Sequence, residues 1–235
     1  MKVRGERECS ACGARWSYYE TGEITCPECG SVRSVGVGKR AEHTASTASF
    51  DLTPVKAEVE DEDIRTLADD AVEATHKYIR GAGFVHAGDL QPLGDTYLAA
   101  SELRRVAATL GRVMQVTEGE QLYFYKLLRG ADQGNRPAPE DVPKALHPER
   151  GLAVAASVEQ YVRDIRRVRE NSDSRKHAVD RVLSGVTARR KRIEALDGDV
   201  DPAEAETLVL VLRDLSAYLR DDDETALARA GNRFV

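Results

Sequence analysis

The chain has 235 residues and a net charge of −6, with arginine outnumbering lysine 26 to 8. No window approaches the ~20 apolar residues of a membrane span, so a spanning protein is excluded and a soluble, cytoplasmic one is expected. The length suits a small module plus one medium domain, and all four cysteines fall in the first 29 residues.

The charged opening, Met1 to Glu6, has no apolar stretch of the signal-peptide kind, so reduced thiols are expected and disulfides are not. Cys9-Ser-Ala-Cys12-Gly13 and Cys26-Pro-Glu-Cys29-Gly30 then form two matched knuckles thirteen residues apart. A C-x2-C pair curls the backbone so that two thiolates meet one ion, and two pairs complete a tetrahedron. Arg15 to Tyr19 reads as a strand, Glu20 to Glu23 as its turn, and Ile24-Thr25 as the return. Val32 to Val37 reads as a third strand. Alternation places Trp16 and Tyr18 on one face and Tyr19 on the other, one face covering the core and the other open to a contact. The product is a small β zinc ribbon over residues 1–37, with Cys9, Cys12, Cys26 and Cys29 as ligands of one structural Zn2+. Iron is the rival ion, because paired knuckles also build rubredoxin-type sites. A unit this short lacks a self-sufficient core, so the ion must supply folding free energy on the order of 10–16 kcal/mol.

Residues 38–53 are small and polar and read as a linker. Thr53-Pro54 offers a cap and a first-turn proline. From there to residue 221 the period is helical and no strand is expected. One helix carries Ile64, Leu67, Ala68, Ala71, Val72, Thr75, Tyr78 and Ile79 and stops near Gly81 to Gly83. A second runs from Asp95 to Met114, and Thr117-Glu-Gly-Glu120 is a capping box for a third. Prolines 137, 139 and 143 mark a loop; helices follow at about 149–170 and 173–196, and Asp201-Pro202 opens the last. The expected domain at 54–221 is an all-α helical bundle of five or six helices, with an acidic tail at 222–235.

Charge is uneven along this domain. Residues 160–195 hold eleven Lys/Arg against five Asp/Glu, whereas 57–73 hold eight acidic groups against Arg65 alone. Arg163, Arg166 and Arg167 share one helix side, and Arg189, Arg190 and Arg192 belong to a basic run that interrupts an apolar stripe. These six meet the chain's own acidic groups, solvent, a protein partner or nucleic acid. Motifs for a nucleophilic serine, a phosphate loop or a zinc protease are missing, which favours a non-enzymatic protein.

The ribbon block, from Cys9 through Arg15-Trp16-Ser17-Tyr18-Tyr19 to Gly30, resembles transcription-factor-B-type zinc ribbons. The whole chain looks like a haloarchaeal group of ribbon-plus-helix proteins, which its acidic, arginine-rich composition suits. The resemblance implies an interaction or transcription-associated module with a protein partner, since in that factor the ribbon docks on RNA polymerase. The two five-helix repeats with which that factor holds DNA have no counterpart here. A four-cysteine module before a bundle also resembles rubrerythrin, which implies an iron-bearing redox protein. Its di-iron site needs two Glu-x-x-His pairs, and this chain has one, Glu73-Ala-Thr-His76.

Overall fold

The computed structural model describes residues 1–45, 49–169 and 176–234, with Lys176 described by its backbone only. It shows a small antiparallel sheet with the cysteine knuckles, followed by a mostly helical domain, as expected.

The sheet has the order β2–β1–β3, with β1 at Lys2–Cys9, β2 at Arg15–Ser17 and β3 at Ser34–Glu42. Three expectations are corrected here. The charged opening is the central strand, because both its edges are paired and charge on the exposed faces costs nothing. Tyr18–Thr21 is a helical turn, α1, so alternation stops at Ser17 and Ile24-Thr25 forms no strand. β3 runs to Glu42 in register with Lys2, so residues 38–42 are strand rather than linker. Residues 46–48 of the expected linker lie outside the described residues.

α2 at Thr53–Ala57 begins one residue after its N-cap, Leu52, with Asp51 rather than Thr53 accepting at its start. α3 at Ile64–Gly81 is capped by Asp63. A tight hairpin that periodicity missed follows, with β4 at Val85–His86 and β5 at Asp89–Leu90; two-residue strands are too short to show a period. α4 spans Asp95–Leu110, ending short of Met114, which is exposed. α5 at Glu118–Gly130 carries the expected capping box. α6 is His147–Arg169, α7 is Lys176–Ala195 and α8 is Pro202–Asp221, capped by Asp201. The expected break at 170–173 lies outside the described residues. The acidic tail contains a further helix, α9 at Glu224–Asn232, held by the Asp223 cap and by burial of Ala226 and Ala230. Its sequence reads as polar because only one narrow side is covered.

Two apolar clusters fill the helical domain, and α4 is a wall of both. Leu103, Val106 and Leu110 face α3 and α5 with Leu67, Phe124 and Leu127. Tyr97 and Leu98 join Val158, Tyr161, Leu208 and Leu212 of α6 and α8. A buried ionic network links elements of both. Glu102 of α4 is fully buried and accepts from Arg150 of α6 at 2.6 Å and from the Tyr123 hydroxyl of α5. Glu206 of α8 takes two bonds of 3.0 Å from Arg136 and one of 3.0 Å from Arg150. Two cations and two anions cancel. Burial opposes the Arg150 charge, and Glu102 and Glu206 more than restore it. Burial, then Glu102, raises the Tyr123 hydroxyl so that it stays a donor.

Removing one member should therefore cost far more than removing a pair. Arg150→Met is expected to lower unfolding free energy by about 3–5 kcal/mol, read from urea unfolding followed by circular dichroism. The double variant with Glu102→Leu is expected to recover part of that loss.

Candidate metal centre

The first knuckle closes where β1 ends. The Gly13 N–H donates to the Cys9 carbonyl at 3.0 Å, and the second knuckle repeats the bond from Gly30 to Cys26 at 3.0 Å. Both glycines have positive φ, 76° and 68°, which only glycine adopts without strain. The Ser10 N–H reaches the Arg33 carbonyl at 2.9 Å and ties one knuckle to the residue just before β3.

The four sulfurs lie within 4.8 Å of one another, with Cys9–Cys29 at 3.7 Å and Cys12–Cys26 at 3.6 Å. An ion with about 2.3 Å metal–sulfur bonds at tetrahedral angles sets sulfurs roughly 3.8 Å apart. The cage therefore fits one tetrahedral ion, and the thiols are not bonded to each other. Cys9 and Cys26 are buried while Cys12 and Cys29 are exposed. The Cys12 and Ala11 amides hold the Cys9 thiol down to about 6. The Ala14 amide favours the Cys12 thiolate too, but the Cys29 and Cys26 sulfurs outweigh it and push that thiol up to about 12. Crowded sulfurs compete to ionise, and a central dication removes the competition.

Behind the cage, Trp16 packs on Cys9 and Cys26, and its indole N–H donates to the Glu23 carbonyl at 3.0 Å. The helical turn carries Tyr19 onto the sheet. Its ring lies over Gly5, where a Cβ would come within 1.9 Å, and its hydroxyl donates to the Val3 carbonyl at 2.9 Å. Neither ring is an outward stacking platform.

The six arginines do not gather into one open surface. Arg163, Arg166, Arg167 and Arg190 line a groove of about 350 Å³ between α6 and α7. Arg167 binds the buried Asp164 at 2.8 Å, Arg190 binds Glu194 at 2.6 Å, and Arg163 approaches Glu159 at 3.5 Å. Arg189 covers the Phe234 ring at 4.0 Å and donates to that residue's carbonyl, which accounts for the interrupted stripe of α7. Arg192 pairs with Glu204 at the head of α8. These partners of Arg163, Arg167, Arg189, Arg190 and Arg192 come from 159–234 rather than from the acidic 57–73 segment.

Glu73 and His76 are exposed on α3, and among the described residues no second group of His, Cys, Asp and Glu is placed to hold a metal. The charged cluster that sequence reasoning missed is the Glu102 network. Its signal was Glu102 four residues after Leu98, on the buried side of α4.

Cys26→Ser is expected to abolish metal uptake and to unfold residues 1–42 while the helical clusters persist. Metal analysis with amide-exchange mapping checks this; full protection of β1–β3 in the metal-free variant would show that the sheet stands without the cage.

Neither a curated protein nor a solved structure matches the chain. Residues 1–234 match a family model, and the chain belongs to that family, described as a family of unknown function, DUF7117.

Proposed function

We propose that this is a non-enzymatic zinc protein in which one structural Zn2+, held by Cys9, Cys12, Cys26 and Cys29, shapes a ribbon that docks a macromolecular partner. The convergence of four sulfurs carries the reading. Four thiolates fill a tetrahedral ion completely, so no position is left for substrate or activated water. Zinc is favoured over iron because two C-x2-C knuckles at this spacing are the usual ligand pattern of structural zinc.

What the ribbon then offers is surface. Ile24, Val32 and Val35 stand 50%, 70% and 53% exposed around the second knuckle. Apolar side chains fixed on a rigid module suit a protein partner. The transcription-associated reading rests on the resemblance of the ribbon block, and it makes that machinery the first partner class to try.

The purified chain is expected to be colourless with about one zinc, since a d10 ion among thiolates has no visible absorption. A partner recovered from native lysate by the wild type is expected to be lost with Val32→Asp or with chelator. A red ferric-thiolate preparation would reverse the metal assignment, and recovery unchanged by chelator would remove the ribbon from docking.

A further inference from the structure

β3 ends at Glu42, and the chain then crosses the β4–β5 hairpin of the helical domain. The Gly88 N–H donates to the Glu42 carbonyl at 2.7 Å, and the Thr44 and Ala45 amides donate to the Val85 carbonyl at 2.8 and 2.9 Å. The Thr44 hydroxyl donates to the buried Asp164 of α6 at 2.8 Å, and that carboxylate also accepts from the Phe84 N–H at 2.8 Å. These bonds fasten the ribbon to the bundle.

Three rings fill its corner. Tyr19 and His43 centroids are 4.7 Å apart, His43 and His86 5.2 Å, and Tyr19 and His86 5.9 Å. His86 Nε2 lies 3.3 Å from the Tyr19 carbonyl, which can only accept, so Nε2 carries a proton. The Ala87 N–H donates to Nδ1 of His43 at 3.3 Å. An N–H has no acceptor in a protonated Nδ1, so the docked corner requires a neutral His43 with its proton on Nε2.

We propose that the Tyr19–His43–His86 corner is a proton-operated latch that holds the ribbon to the helical domain near neutral pH and releases it on acidification.

The surroundings offer an imidazolium little help. From α1 come Tyr18, its ring 6.4 Å from His43, and Tyr19, whose hydroxyl is spent on the Val3 carbonyl at 2.9 Å. From the sheet come the Met1 ammonium and Glu42, which pair with each other at 2.7 Å. From the hairpin come His86 itself and the exposed Asp89, for which no bond to either imidazole is seen among the described residues. Burial, then His86, then the Met1 ammonium hold His43 below its ordinary value. The released state consequently binds more protons than the docked one below the free imidazole midpoint of about 6.5. Docking is complete above that pH and weakens as pH falls toward the lowered midpoint, by up to about tenfold per pH unit.

The test uses the full chain loaded with Co2+, whose thiolate absorption reports an intact cage. Amide exchange at Thr44, Ala45, Ala87 and Gly88 is measured against intrinsic rates. Protection at these amides is expected to fall about five- to tenfold from about pH 7.5 to about 5.5, with the cobalt bands constant. In His43→Asn, whose amide oxygen can take the Ala87 bond without titrating, the fall is expected to stay under about twofold. Nuclear magnetic resonance of the wild-type His43 ring should give a midpoint below about 6.5, and this decides the matter if the variant fails to dock. Unchanged wild-type protection, an ordinary or raised His43 midpoint, or a fall in His43→Asn equal to the wild type's would overturn the latch. So would loss that tracks fading cobalt bands, which would assign the response to the cage.

Discussion

Four sulfurs that must meet at one point constrain everything in the first forty residues. The ribbon buries little else: behind the cage its apolar cluster is only Trp16, Cys9, Cys26 and part of Ala14. Closing the knuckles fixes the end of β1 at Cys9 and the start of β3 at Ser34, which are paired in register. From that anchor the two strands run together to Lys2 and Glu42, delivering His43 and Thr44 to the hairpin and to Asp164. The cage thus acts beyond its own knuckles, because strand register carries its geometry to the contact with α6.

The helical domain solves a different problem. Its apolar side chains form two clusters, and α4 must present buried surface to both. A helix covered on most sides leaves a polar residue no route to water, so Glu102 is satisfied internally by Arg150 and Tyr123. Such a network adds little net stability over an apolar replacement, but it rejects arrangements of α4, α5, α6 and α8 that fail to match every donor. The same economy governs the basic helices, where pairing with Glu194, Glu204, Asp164 and Phe234 turns a local charge excess into internal contacts.

Much of this was legible in the sequence because its signals are local. C-x2-C-Gly spacing, the Thr117–Glu120 capping box and the Asp201-Pro202 start each depend on residues a turn apart, and the structure realises all three. What escaped depends on distant partners. Lys2 to Cys9 has a polar sequence and becomes a central strand only because β3 lies on one side and β2 on the other. The β4–β5 hairpin is too brief for a period, and α9 shows little apolar surface before α8 covers it. Tyr19 could not be placed by alternation once the chain turned helical at Tyr18, so its packing against His43 and His86 had no local sign. The candidate site followed the same division: the ligand set was readable from spacing, whereas Arg189 and Arg192 meet Phe234 and Glu204, 45 and 12 residues away.

The central claim is that one ion sits among four thiolates with no other ligand, and X-ray absorption at the metal edge of the purified full-length chain tests it most directly. The account predicts a single shell of four sulfur scatterers at about 2.3 Å. A shell containing nitrogen or oxygen, or an ordered ribbon in a chain that carries no metal at all, would contradict it.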